Sequence, residues 1–355
     1  MKAGVLHGKE QILFEEVETP VPGPGEVLVR VMYTGICGSD IPRVNGEAAH
    51  YYPIILGHEF SGEVVETGEG VSGVRPGDRI AGAPLLPCMN CEHCENGDYA
   101  LCGDYSFIGS RRDGSFAEYV VLPEANAIRF DESVPYWKGA FFEPITVALH
   151  GIRRLPFKPG SSVAVLGIGN IGFFTLQWLK ALGAGSVTVF DINDERLELA
   201  RQYGADECIN TCDPDFAVQL QDGQGRRREF DFVYETAGNT ATIKQTFGLV
   251  KKKGAVCLIG TPTRELTFSV EEWEALNRKE FTLTGSWMSY SSGFPGQEWK
   301  ETAEAIRSGT IRFDESLLYR VMPLQDISDA FGMFRTPGKV KGKVLIQSGN
   351  QEGLQ

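Results

Sequence analysis

Cys88, Cys91, Cys94 and Cys102 fall within fifteen consecutive positions in a Cys-x2-Cys-x2-Cys-x7-Cys run. Four soft thiolates at this spacing can close a tetrahedral shell around zinc, and a closed shell leaves no position open for a substrate. The implied metal is therefore structural, and any chemistry has to be sought elsewhere in the chain. An iron–sulfur cluster fits less well, because the bacterial ferredoxin run has three residues before its fourth cysteine and a proline after it. Here seven residues and Gly103 stand in those places. A disulfide framework also fits poorly, with eight cysteines spread over 355 residues and no secretory leader.

The N-terminal stretch MKAGVLHGKEQILFEEVE is charged early and its apolar run is short, so a cytoplasmic chain is expected. No apolar run approaches the roughly 18 residues a membrane helix needs. The length suggests two domains, and 42% hydrophobic with 23% charged residues is ordinary for a globular protein. A formal charge of −13 argues against nucleic acid and anionic membrane as partners, since either calls for a basic face. A small phosphorylated substrate stays open, because it responds only to local charge.

The texture of the chain changes near residue 150. Before it, short β-rich runs such as EVLVRVMYTG and FSGEVVETG alternate with Gly/Pro punctuation (VPGPGE, VRPGDR), as in a compact, barrel-like β domain. From Ser161 the pattern becomes strand–helix–strand: SSVAVLG, then FFTLQWLKALGA, then SVTVFD, with DFVYETAG and GAVCLIG continuing the series. That alternation predicts a doubly wound α/β nucleotide fold. The polar segment 213–230, with arginines at 226–228, reads as a solvated surface loop, and KGKVLIQ as a final strand.

Between the first strand and helix of the α/β region lies Gly167-Ile168-Gly169-Asn170-Ile171-Gly172, with Asp191 ending the next strand 19 residues after Gly172. In this context the motif predicts a dinucleotide site. Gly167 allows the tight turn, Gly169 lets backbone approach the pyrophosphate, Gly172 permits close helix–strand packing, and the helix N-terminus favours the anion. Asp191 would accept from the ribose hydroxyls and repel a 2′-phosphate. Because Ile192 follows it where an arginine would suit NADP, NAD is expected.

A second metal site can be assembled from Cys37 in YTGICGSD, His58 and Glu59 in LGHEFSG, and Glu143 in FFEPITVALH. Thiolate, imidazole and carboxylate plus water would give a zinc with an exchangeable position, as catalysis requires. Sequence separation alone does not bring these residues together, and a lone cysteine or histidine is usually a core residue.

Together these features are those of a family. The chain resembles the zinc-dependent medium-chain dehydrogenases over essentially its full length, through CGSD at 37–40, GHE at 57–59, the four-cysteine lobe, RDGSFAEY at 112–119, EP at 143–144 and the nucleotide fingerprint. A narrower resemblance, to sorbitol-dehydrogenase-like enzymes acting on phosphorylated polyols, rests on AHYYPIILGHEFSG at 49–62, PLLPC at 84–88, FIGSRRDG at 107–114, FEPIT at 142–146 and GSW…YSS…PGQEW across 285–299.

The resemblance implies a GroES-like catalytic domain formed by 1–150 and 290–355, with a zinc lobe at about 84–104, and a Rossmann-type NAD domain at 151–289. It implies two zincs per chain, NAD, a polyol phosphate substrate, and a homodimer or homotetramer. Cys37 and His58 become catalytic zinc ligands, with Glu59 or Glu143 as the third and Glu143 preferred. Ser39 takes the substrate proton, and Asp40 orients His58. Ile171 and Arg196 contact the cofactor. Two departures bear on the substrate. Pro42 stands where relatives have the histidine ending the proton relay, which leaves water, the ribose hydroxyls or His50 as exits. Arg43 replaces a substrate-facing tyrosine, while Met288 replaces an arginine. A guanidinium gained at that wall suits a phosphate, and His50, Tyr51, Arg111 and Arg112 are further residues of plausible cleft loops.

Overall fold

A computed structural model describes residues 1–221, 224–336 and 338–349. Its contacts divide the chain into two units, residues 1–143 with 290–355, and residues 144–289. The first division falls inside the helix Phe142–Arg153, seven residues before the change of texture at 150, because that helix carries no strand–helix alternation to mark it.

The first unit is built on a seven-stranded sheet. In order it runs Ala127–Arg129, Arg79–Gly82, Glu59–Thr67, Glu26–Gly35, Lys343–Gln347 and Leu318–Pro323, with Tyr119–Pro123 also paired to Glu26–Gly35. The long central strand EVLVRVMYTG buries Val27, Val29 and Val31 against Phe60, Val64 and Ile80, the alternation expected of a strand with one face on a core. Its register does the most for function. Gly35 pairs with Glu59 on one side and Leu345 on the other, so Cys37, Glu59 and Lys343 lie at one end of three adjacent strands. A three-stranded sheet of Ile12–Glu16, Lys2–Leu6 and Ile54–Ile55 and a two-stranded one of Leu85–Leu86 and Ser106–Phe107 add to the β framework.

The second unit is a six-stranded sheet in the order Glu207–Asn210, Ser186–Asp191, Ser162–Leu166, Phe230–Glu235, Val250–Leu258 and Thr282–Gly285. Every pairing in it is parallel. The chain starts in the middle and reverses direction of growth between Ser162–Leu166 and Phe230–Glu235, the doubly wound arrangement in which ligands bind beyond the strand C-termini. Buried Val and Phe along the central strands match the continuous apolar runs of the sequence. The polar segment 213–230 holds a short helix, Phe216–Gln219, with residues 222 and 223 outside the described set. No helix among the described residues is long and apolar enough to cross a membrane.

Candidate active site and metal centres

The four cysteines of the lobe converge with all sulfurs within 4.8 Å of one another, the Cys91–Cys94 and Cys88–Cys94 separations being 3.6 and 4.0 Å. Tetrahedral zinc with bonds of about 2.3 Å sets sulfurs about 3.8 Å apart, so the shell is already the right size. Backbone amides address the thiolates as well. Cys88 N–H donates to Cys102 Sγ at 3.4 Å, and Met89 takes a left-handed φ of 62° that turns its amide toward Cys94. Burial pushes the Cys94 thiol up to about 12, while the backbone N–H of Cys94 draws Cys91 down to about 6. All eight cysteines are free, and the donor set fits a structural zinc.

This lobe also holds the segment that re-enters the unit after residue 289. Tyr99 meets Phe294 edge to face at 5.1 Å, Phe294 stacks on Tyr290 at 5.8 Å, and Leu85 N–H donates to Tyr290 Oη at 2.9 Å.

The second group brings Cys37, His58 and Glu59 within the same 4.8 Å limit. Cys37 follows the central strand directly, and Glu59 opens its neighbour with His58 just before it, so strand pairing converts a sequence separation of about twenty residues into contact. His58 is buried, its Nδ1 3.5 Å from Asp40 Oδ1, and its ring meets Phe107 edge on at 5.5 Å. A carboxylate behind the imidazole fixes the ring and raises its basicity toward a metal. Burial opposes protonation of His58, yet Asp40 and then Cys37 raise its pKa well above the ordinary value. Burial likewise works against the Asp40 carboxylate, and His58 and Arg43 outweigh it to hold the group low.

Glu143 lies outside that set of three. The sequence preferred Glu143 as the third ligand; Glu59 is the carboxylate grouped with the thiolate and imidazole, and Glu143 is a half-buried residue whose pKa is pushed up to about 7, first by burial and then by the Glu59 charge. A thiolate, an imidazole and a carboxylate within 4.8 Å of one another are a donor set that fits zinc.

One participant was not anticipated. Lys343, 2% exposed, pairs with Glu59. Burial lowers its pKa, but Glu59, Cys37 and Glu143 together keep it above the ordinary lysine value. The signal in the sequence was a lysine within the apolar strand run KVLIQ, a position whose burial only the sheet register reveals.

Near the three ligands, Ser39 Oγ donates to Cys37 Sγ at 3.3 Å and accepts from Arg43 Nη1 at 3.1 Å. The same Nη1 reaches Ser39 O at 3.1 Å and Asp40 Oδ1 at 3.3 Å. Arg43 is therefore anchored to the Ser39–Asp40 turn, where the sequence had suggested only a substrate-facing charge. Pro42 sits in the first turn of the helix Ile41–Val44, where a missing N–H costs nothing. His50 and Tyr51 are exposed on the following loop. Arg112 is drawn to Glu26 at 2.8 Å.

In the second unit the glycine motif has the geometry its chemistry needs. Gly167 has φ +88°, and a Cβ on Gly172 would collide with the Gly167 carbonyl. A Cβ on Gly169 would meet nothing within 4 Å, so the space above it is free for a ligand to approach the backbone at the N-terminus of the helix Asn170–Ala181. Asp191 is 7% exposed and accepts from the amides of Ile168, Ile192 and Asn193 at 2.7, 2.8 and 2.9 Å. It ties the glycine turn to the strand end, and a carboxylate's roughly four acceptor sites leave capacity for a ribose hydroxyl. Ile171 and Arg196 are half-buried in this region, and Arg196 N–H is capped by Asn193.

These two architectures, with two clusters whose donors fit zinc, are those of a zinc-binding dehydrogenase, and sequence comparison agrees. An alcohol dehydrogenase GroES-like domain matches residues 23–132 and a zinc-binding dehydrogenase domain matches residues 170–308. The chain belongs to the zinc-dependent medium-chain alcohol dehydrogenase family, whose α/β Rossmann-type and GroES-like units it carries, and it is an oxidoreductase of that family. It is similar to galactitol 1-phosphate 5-dehydrogenase of Escherichia coli strain K12, 39% identical over 306 residues that cover 86% of this chain and 88% of that one. Sorbitol dehydrogenase of Bacillus subtilis strain 168 is 35% identical, over 74% of this chain and 76% of the other. The crystal structure of galactitol-1-phosphate dehydrogenase from Escherichia coli superposes with a TM-score of 0.92 at 37% identity, covering 98% and 100% of the two chains. The narrower resemblance seen in the sequence is thus to a protein that the comparisons also find.

Proposed function

We propose that the chain oxidises galactitol 1-phosphate to tagatose 6-phosphate with NAD. The observation that carries this reading is the Arg43 guanidinium 3.1 Å from Ser39 Oγ, a permanent cation beside the proton acceptor. Similarity to a galactitol 1-phosphate 5-dehydrogenase supports it. Cys37, His58 and Glu59, with Glu143 beside them, would hold the catalytic zinc; Cys88, Cys91, Cys94 and Cys102 would hold the structural one. Gly167, Gly169, Ile171, Gly172, Asp191 and Arg196 would hold NAD. When bound, zinc acidifies the secondary hydroxyl and NAD accepts the hydride.

The chain's own residues do the rest. Ser39 takes the proton of the substrate hydroxyl, with Arg43 orienting its Oγ. Ser39 is exposed, so it passes its proton to water, since Pro42 beyond it has none to relay. Asp40 keeps His58 in place. Lys343 balances Glu59, so that the pocket's anions do not repel the electron-rich oxygen of the reacting alcohol.

A second reading, an unphosphorylated polyol such as sorbitol, draws on one observation. Arg43 already has a buried carboxylate partner in Asp40, and a paired guanidinium has less need of a phosphate. NADH absorbance with galactitol 1-phosphate, galactitol, sorbitol and threonine separates the two. A kcat/KM for galactitol 1-phosphate at least about tenfold above galactitol, the worth of one charge-assisted contact, is expected. Equal values would overturn the phosphorylated substrate.

A further inference from the structure

The substrate reading above leaves open which cation tells a phosphate from a hydroxyl, and the inference drawn here rests on that reading. We propose that Arg111, together with Arg43 and His50, forms the subsite for the substrate's phosphate, with Arg111 as its discriminating residue.

Arg43 is poorly placed to discriminate by itself. Its Nη1 serves Ser39 O, Ser39 Oγ and Asp40 Oδ1 at once, so removing it disturbs proton transfer from any alcohol. Its remaining N–H donors stay available to an anion, which makes it both a positioning residue and a phosphate contact.

Arg111 has no such second duty. It lies in a tight turn where the amides of Ser110, Arg111 and Arg112 all address the Phe107 carbonyl, at 3.2, 2.9 and 3.2 Å. The ring of the same Phe107 packs on the zinc-site imidazole His58, so the turn is fixed to the catalytic centre. Its guanidinium carbon sits 4.5 Å over the Tyr105 ring. A guanidinium resting on an aromatic face uses none of its N–H donors in that contact, and those donors suit bidentate binding of phosphate. Among the described residues no side chain forms an ion pair or hydrogen bond with that guanidinium. Arg112, next in sequence, is spent on Glu26 on another face.

His50 connects the two arginines. Its pKa is lowered by burial and then by the charges of Arg111 and Arg43, which places it within electrostatic reach of both. The acid of the same turn, Asp113, is engaged by the Ile55 amide at 3.0 Å and lies toward Tyr51. In a chain of net charge −13, a guanidinium without an ion-pair partner in a turn fixed to a buried anionic metal site is against the general trend. A dianionic phosphate satisfies it and a neutral polyol does not.

The test compares wild type, Arg111→Ala, Arg111→Lys and Arg112→Ala, all zinc-loaded, on galactitol 1-phosphate and galactitol, with inorganic phosphate as an inhibitor against galactitol. Loss of Arg111 should lower the ratio of kcat/KM for the phosphorylated over the neutral substrate by roughly tenfold to a hundredfold, mainly through KM. It should weaken phosphate inhibition in parallel, Arg111→Lys should recover part of both, and Arg112→Ala should alter neither. A wild type that prefers the phosphorylated polyol while Arg111→Ala keeps the same ratio and the same phosphate inhibition overturns the subsite and leaves the substrate standing. A wild type with no preference for galactitol 1-phosphate, but with phosphate inhibition that depends on Arg111, overturns that substrate and supports the subsite.

Discussion

Lys343 and Glu59 pair directly across Gly35, whose missing side chain is the condition for their meeting: a Cβ there would lie 2.5 Å from both Glu59 Oε2 and Lys343 Cε. Three strands contribute one residue each, and the result is a buried ammonium beside a thiolate and two carboxylates. Such a pair is costly to break because its survivor keeps a buried charge with nothing opposite.

Replacing Lys343 with Met should therefore destabilise the zinc-loaded protein by about 3–5 kcal/mol, while Lys343→Arg should lose less. Denaturant midpoints at constant m-value report this. A Met variant as stable as wild type would mean that the metal alone balances Glu59.

Gly35→Ala inserts one methyl group where no space exists. Overpacking of this kind costs about 1–3 kcal/mol, and here the strain falls on a metal ligand. The expected result is a zinc content approaching one per chain with the cysteine lobe still loaded, read by metal analysis after dialysis. Retention of both zincs would show that the pair can shift aside.

Wild type should contain two zincs per chain. Cys91→Ser should cost chiefly folding stability, since it opens a closed shell that also carries Tyr99 against Phe294. Cys37→Ser should fold and keep the lobe zinc but lose turnover by about a hundredfold or more. One zinc in a fully loaded wild type would remove the two-site assignment.

Asp191→Ala should weaken NAD binding and narrow its advantage over NADP, because it deletes a ribose acceptor and the charge facing a 2′-phosphate. It should also loosen the glycine turn, since three backbone amides lose their acceptor. Isothermal titration with both cofactors and the thermal midpoint of the apoprotein measure the two effects. Equal use of NAD and NADP by wild type would contradict the assignment of Asp191.

What the sequence made legible was chemistry carried by local spacing. The cysteine run, the glycine motif with Asp191, and the short strands of both units need only neighbours in sequence. Lys343 and the choice between Glu59 and Glu143 depended on register between strands distant in the chain, and no local pattern encodes register. Arg43 was visible as a charge, but not its triple commitment through one nitrogen, because a side chain's direction within a single helical turn is set by what surrounds it. Arg111 and Arg112 are adjacent and chemically identical in the sequence, and only the turn at Phe107 sends one to Tyr105 and the other to Glu26.

The strand Lys343–Gln347 lies between Glu26–Gly35 and Leu318–Pro323 in the sheet, yet among the described residues it is the last strand in chain order. A nascent chain thus exposes Cys37, His58 and Glu59 some 280 residues before their counter-cation is translated, and the whole of the second unit is made in between. Until then the pocket carries an excess of negative charge and an open sheet edge beside Gly35. Arrival of Lys343 neutralises the one and covers the other in a single docking event, so the pocket reaches charge balance only when this late strand joins the sheet.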